Sequence, residues 1–183
     1  KGIKTVLYVP TYRESDTTEK FEMDYQRVIS AFEKRYRENW IMLIRIHPKM
    51  REKAREIVPK TEKIVDVSLY PDIQELMVVA DALITDYSSA VFDFILTYKP
   101  GFIYAINEQR YDIERGLYYP LTATPFTVAR NNEELERNII NFDAEEYSNR
   151  VTRFLQEKGS VDDGKASERT VRLIQTLLRR LGE

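Results

Sequence analysis

Three short stretches of this 183-residue chain gather the side chains best suited to chemistry. Thr11 and Arg13 follow the run Thr5-Val6-Leu7-Tyr8-Val9-Pro10. Arg45 and His47 lie in Arg45-Ile46-His47-Pro48, and Asp86 opens Asp86-Tyr87-Ser88-Ser89. Together they offer two guanidinium groups, one imidazole and three aliphatic hydroxyls. Arginine carries permanent charge on a forked set of donors. A Ser-Ser pair opening a helix adds unpaired N–H groups and the positive end of the helix dipole. The set suits a phosphate or diphosphate. Each residue also has a structural alternative. Asp86 and Ser88 suit N-caps, the arginines suit a scaffold or a surface, and a lone histidine before proline suits a satisfied structural role. Convergence of the three stretches favours binding, and convergence depends on the fold.

What is missing narrows the chemistry. There is no cysteine, which excludes disulfides, thiolate zinc sites, iron–sulfur clusters and a cysteine nucleophile. His47 is the single histidine, so no multi-histidine metal site can form within the chain. No carboxylate group reads as a Mg²⁺ site, and neither a metal nor a cofactor is expected. The six glycines make no G-x-G-x-x-G dinucleotide fingerprint, P-loop or G-x-S-x-G elbow. A phosphoacceptor receiver domain wants acidic residues where this chain has Thr11-Tyr12-Arg13. With 28 basic and 30 acidic residues, the net charge of -2 gives no reason to expect nucleic-acid binding. No signal peptide is visible, and the apolar runs fall short of the roughly 20 residues of a membrane span. The chain opens on Lys1-Gly2 without Met, which suggests a fragment of a longer protein.

The elements that must position these residues follow from periodicity. Strands are predicted at 4–9, 40–46, 63–67, 82–85 and 101–105. A helix is predicted at 21–38, with Phe21, Tyr25, Val28, Ile29, Phe32 and Tyr36 on one face. A short charged helix suits 49–57, another opens at Pro71-Asp72 and runs to Ala80, and a third follows Ser89 and ends before Lys99-Pro100. Beyond a Tyr-rich loop at 106–125, helices are predicted at 132–141, 144–157 and 166–181. Asp143 caps the second of these and Gly159 stops it. Val171, Ile174, Leu177, Leu178 and Leu181 form the expected inner face of the last.

This β-α-β alternation predicts an α/β domain with a Rossmann-like parallel sheet and helices on both faces. No internal boundary is visible, so residues 1–183 read as one domain. In a 3-2-1-4-5 strand order, ligands sit at the switch point between strands one and four. The three reactive stretches then meet there.

These residues resemble a known family. The resemblance rests on Tyr8-Val9-Pro10-Thr11-Tyr12-Arg13, Arg45-Ile46-His47-Pro48, Asp72-Ile73-Gln74-Glu75-Leu76, Ile84-Thr85-Asp86-Tyr87-Ser88-Ser89, Phe92-Asp93-Phe94 and Lys99-Pro100. The later Tyr111, Gly116, Tyr118 and the run Gly164 to Arg169 also fit. The pattern is similar to the CDP-glycerol glycerophosphotransferases of teichoic acid synthesis, over roughly residues 4 to 175.

The resemblance implies the C-terminal, nucleotide-binding half of a GT-B fold, its N-terminal domain lying outside this chain. It implies an enzyme moving glycerol phosphate, or ribitol phosphate, from a CDP-polyol donor to a lipid-linked teichoic acid or similar polymer. It further implies peripheral attachment at the cytoplasmic face of a bacterial cell membrane, through parts absent here. By position, His47 and Arg45 take catalytic roles at the donor phosphates, and Ser88 and Ser89 cradle the diphosphate. Thr11, Arg13, Asp86 and Tyr118 complete the expected substrate-binding set. A general-base histidine is expected from the N-terminal domain, so the isolated domain should bind donor without turning it over.

Tyr111, Tyr118 and Tyr119 suit either the cleft wall or the pinning of a long loop. Other readings are a GT-B glycosyltransferase or epimerase using a nucleotide sugar, with Asp112 and Glu114 near the ribose, and a non-catalytic nucleotide-binding module. The basic runs Lys49, Arg51, Lys53, Arg55 and Arg169, Arg172, Arg179, Arg180 read as solvated faces or as surfaces near a membrane or anionic polymer.

Overall fold

The computed structural model describes residues 2–11, 23–50, 52, 54, 57–106, 108–117 and 119–181. Arg13 and Tyr118 lie outside these residues, as do Phe21, Arg51, Lys53 and Arg55.

Six strands form one parallel sheet in the order β3-β2-β1-β4-β5-β6. They are β1 (Lys4–Val9), β2 (Trp40–Ile44), β3 (Ile64–Asp66), β4 (Ala82–Thr85), β5 (Gly101–Tyr104) and β6 (Thr127–Ala129). β1 pairs with β2 on one side, Val6 opposite Met42, and with β4 on the other, Val6 opposite Ala82. This is the order assumed for placing the switch point, plus one strand. β6 is only three residues long, too short for a period-2 signal, and it pairs with β5 from the stretch between the Tyr-rich loop at 106–125 and the helix predicted at 132–141. β4, β5 and the Val6–Val9 part of β1 are mostly apolar and buried on both faces, as a parallel sheet requires.

The helices are α1 (Tyr25–Tyr36), α2 (Ile73–Val79), α3 (Ala90–Phe94), α4 (Glu108–Arg115), α5 (Asn132–Ile140), α6 (Ala144–Glu157) and α7 (Ala166–Leu181). Their starts are set by side-chain caps. Asp24, Asp72, Asn131 and Asp143 each accept a backbone N–H two or three residues on. α1 ends where Arg37 turns left-handed (φ 55°). α6 ends at Gly159 (φ 66°), whose N–H and that of Ser160 return to Gln156 and Leu155 carbonyls. The predicted charged helix at 49–57 opens as a 3₁₀ turn at Pro48–Met50, and residues 52, 54 and 57 are helical.

Phe32 of α1 stacks on Trp40 at 4.5 Å and meets Phe102 of β5 edge-on at 5.8 Å, joining helix to sheet. α1 packs on α5, where Arg27 bridges Glu136 and Glu133, each at 2.6 Å. The absence of a side chain at Gly101 lets Phe126 pack against β5; a Cβ there would lie 2.8 Å from its ring.

The expected inner face of α7 is not an inner face. Every residue from Val161 to Leu181 is exposed, including Val171, Ile174, Leu177, Leu178 and Leu181. The helix and its apolar stripe form as predicted, but no other described element covers the stripe.

Candidate functional site

A cleft of about 700 Å³ opens at the carboxyl ends of β1, β2 and β4, at the switch point between β1 and β4. Thr11, Arg45, His47, Asp86, Ser88 and Ser89 all line it. The fold thus brings together six of the eight residues singled out in the sequence. Arg13 and Tyr118 are outside the described residues.

Asp86 knits the cleft floor. Its side chain is buried, and Oδ1 accepts from the Thr11 N–H at 2.8 Å, the Thr11 hydroxyl and the Tyr87 N–H at 2.7 Å. It therefore does not cap α3; it ties the loop after β1 to the loop after β4. Thr85 adds a second tie, its hydroxyl donating to the Val9 carbonyl at 2.6 Å.

Ser88 supplies the local cap: its Oγ accepts from the Ala90 N–H at 3.2 Å. Ser89 occupies the N-cap position in an αR conformation without a capping bond, and it is exposed to the cleft. α3 has only five residues before tightening to a 3₁₀ turn at Ile95–Thr97. Its dipole is correspondingly short, so an anion here depends more on side chains than the sequence suggests.

Arg45 is buried at the end of β2, and Nη1 donates to the Tyr70 carbonyl. The neighbouring Ile46 N–H donates to buried Ser68 Oγ at 3.0 Å. Both bonds anchor the loop after β3, so Arg45 has a scaffold duty besides lining the cleft.

His47 is half-buried on the next turn. Its Nδ1 accepts from the Lys49 N–H at 3.2 Å, which leaves the proton of the neutral ring on Nε2. Burial, followed by the positive charge of Lys49, holds its pKa below the usual 6.5. The neutral imidazole is thus favoured at neutral pH, as a hydrogen-bond donor through Nε2.

The Tyr-rich segment forms the remaining wall and contains α4. Tyr111 stacks on Tyr87 at 4.1 Å, and both rings line the cleft. Tyr111 therefore both pins its segment and faces the cleft. Asp112 accepts from the Leu117 N–H at 3.1 Å, closing the turn after α4. Side-chain packing from Phe154 and Lys158 behind this wall has no local signal in the sequence, because those residues lie on α6 and just beyond it.

The comparisons with known proteins fit this geometry. Residues 1–176 match the model of the family described as CDP-Glycerol:Poly(glycerophosphate) glycerophosphotransferase. The chain belongs to this family. It is 30% identical over 177 residues to the teichoic acid glycerol-phosphate transferase of Staphylococcus aureus, covering 93% of this chain and 45% of that protein. It is 29% identical over 182 residues to the teichoic acid ribitol-phosphate primase of Bacillus spizizenii, covering 97% and 45%. Among solved structures, the wall teichoic acid polymerase TagF superposes with a TM-score of 0.73 at 28% identity, over 98% of this chain and 44% of that one. The chain thus spans less than half the length of these relatives.

Lys99 of the Lys99-Pro100 pair has a structural role. Lys99 Nζ donates to the Val78 and Ala80 carbonyls at 2.6 and 2.8 Å, closing the C-terminus of α2. Among the described residues, no helix is long and apolar enough to cross a membrane.

Proposed function

We propose that this chain is the donor-binding domain of an enzyme that transfers glycerol phosphate or ribitol phosphate from a CDP-polyol to a teichoic acid or similar polymer. The observation that carries the reading is the convergence of Thr11, Arg45, His47, Asp86, Ser88 and Ser89 on one cleft at the β1/β4 switch point, in a member of this family.

An acceptor hydroxyl oxygen attacks the β-phosphorus of the donor. The new P–O bond forms as the bond from that phosphorus to the oxygen bridging to CMP breaks. The acceptor proton leaves to a base, and CMP carries off the bridging oxygen. Negative charge grows on the bridging and non-bridging oxygens, so the protein's task is positioning and charge stabilisation. His47 donates from Nε2 to a phosphate oxygen. Arg45 adds a fixed positive charge at the strand end, and Ser88 and Ser89 offer hydroxyls. Asp86 holds the two loops in register and stays off the phosphates, since a second anion there would repel them. Arg13 belongs to the same donor set by its place after β1, and Tyr118 by its place beside Tyr119.

The base belongs to a second, N-terminal domain facing the cleft. The relatives' greater length and the uncovered stripe of α7 support a second domain. In this reading the two halves form a GT-B enzyme, the isolated domain binds without catalysing, and the acceptor is lipid-linked, placing the enzyme at the cytoplasmic membrane face.

Isothermal calorimetry tests the reading. CDP-glycerol or CDP-ribitol should bind, and a UDP-sugar should bind far more weakly. No heat with either CDP-polyol at millimolar concentration would overturn it, and preference for the UDP-sugar would favour a nucleotide-sugar enzyme.

A further inference from the structure

One wall of the cleft is held from behind by a cation. Tyr119 and Phe92 line the cleft, whereas Phe154 and Lys158 do not. The Tyr119 ring meets Phe92 edge-on at 6.2 Å and Phe154 edge-on at 6.1 Å. Phe92 in turn stacks on Phe154 at 6.0 Å, with planes 10° apart. Lys158 Nζ sits 4.2 Å above the centre of the Tyr119 ring and 5.5 Å from that of Phe154.

The ammonium makes no ion pair, and the Tyr119 hydroxyl no hydrogen bond, among the described residues. The ring plane is therefore set by its aromatic neighbours and by the cation. The cation's own attachment is firm. Lys158 closes α6, its N–H donating to the Phe154 carbonyl at 3.0 Å, and the left-handed Gly159 ends the helix there.

We infer that Lys158 is a positioning residue for the donor cleft: it fixes the Tyr119 ring in the cleft wall so that the phenol meets an oxygen of the donor's polyol-phosphate end. A cation on the face of a phenol also polarises it, which makes the hydroxyl a better donor to a phosphate or polyol oxygen. The inference rests on the proposed CDP-polyol reading. It differs from a purely structural role, in which the cluster only pins the segment after α4.

The test uses the full-length protein, with binding of CDP-glycerol compared with binding of CMP, which lacks the polyol phosphate. Lys158→Met keeps most of the stem and removes the charge. It should weaken CDP-glycerol binding by about two- to fivefold, the range of a single exposed cation–π contact, and leave CMP binding unchanged. Lys158→Arg should restore the wild-type value. Tyr119→Phe should weaken CDP-glycerol selectively, and Lys158→Met should add nothing in a Tyr119→Ala background. In turnover, KM for the donor should rise while kcat holds. Unchanged CDP-glycerol binding in both Lys158→Met and Tyr119→Phe overturns the inference, as does equal weakening for CMP or a loss confined to the melting temperature. If the unsubstituted protein fails to bind CDP-glycerol, the proposed function itself falls, and this inference with it.

Discussion

β4 carries an aspartate just before it and another just after it, and the two are used differently. Asp81, at the amino end, pairs with Lys4 at 2.8 Å and accepts the Thr5 N–H at 2.9 Å; its side chain keeps 30% of its exposure. Asp86, at the carboxyl end, is 9% exposed and accepts from the Thr11 N–H, the Thr11 hydroxyl and the Tyr87 N–H. Both carboxylates stitch β4 to β1. At the amino end the stitch is an ion pair in contact with water, and such pairs contribute little. At the carboxyl end two backbone N–H groups and a hydroxyl donate to a buried carboxylate, and removing it strands those donors. The first stitch closes one end of the sheet. The second sets the spacing of two loops whose remaining groups line a cleft.

The largest expected effect separates the cleft end from the rest of the molecule. His47→Ala in the full-length enzyme should lower kcat by about 10²- to 10³-fold, the usual loss for one oxyanion donor. The melting temperature should move little, because the ring is half-buried on a surface turn. Unchanged turnover would remove His47 from the mechanism. Next in size is Asp86→Ala, expected to lower stability to urea by about 2–3 kcal/mol, as hydrogen bonds to a buried charge are lost. Donor binding should weaken with it, since Thr11 is no longer tied to the Ser88–Ser89 loop. Equal costs for Asp86→Ala and Asp81→Ala would break the contrast between the two ends.

How much of this was legible in the sequence depends on how local each cause is. The first five strands and the strand-end places of Thr11, Arg45, His47 and Ser88 follow from alternation; their meeting at one switch point needs the strand order, which has to be assumed from sequence alone and which the sheet has. The cap at Asp143 is a local signal and forms as read, and the helix that Pro71-Asp72 opens is capped by Asp72. β6 escaped because three residues carry no period, and its pairing with β5 is a tertiary event. The stripe on α7 reads correctly as amphipathic, but a sequence pattern does not say what covers it. Asp86 reads in the sequence as a substrate contact or, alternatively, as an N-cap, because an aspartate before a helix suits either. One of the partners it has in the structure, Thr11, is 75 residues away. Lys158 over Tyr119 is of the same kind, a long-range contact without a motif.

Smaller effects sharpen the comparison. Asp81→Ala should cost about 1 kcal/mol through the lost Thr5 N–H bond, with the exposed lysine pair adding little. Raising the salt concentration should narrow the gap between wild type and Asp81→Ala, and should change the cost of Asp86→Ala less, because its carboxylate is buried. A salt response as large for Asp86→Ala would mean that its carboxylate is more open to water than its burial indicates.

The smallest effect lies in the pH dependence, and it bears on how His47 works. Its pKa in the folded chain lies below the usual 6.5, through burial and the charge of Lys49. Above 6.5 the ring is neutral in both folded and unfolded chains, and its titration adds nothing. As pH falls through 6.5 the unfolded chain takes up a proton that the folded one resists, so stability declines down to the folded pKa. His47→Gln should remove that increment. For the reaction, a neutral Nε2–H donor predicts that the His47-dependent part of kcat is flat from pH 7.5 to about 6.5 and falls only below that. Protonating Nδ1 would also break its bond from the Lys49 N–H, which would turn the ring away from its place in the cleft. A rate that instead rises as pH drops below 6.5, and loses that rise in His47→Gln, would make the imidazolium the working form. His47 would then hold its anion by full charge, as Lys4 holds Asp81 at the amino end, in place of an aimed N–H dipole.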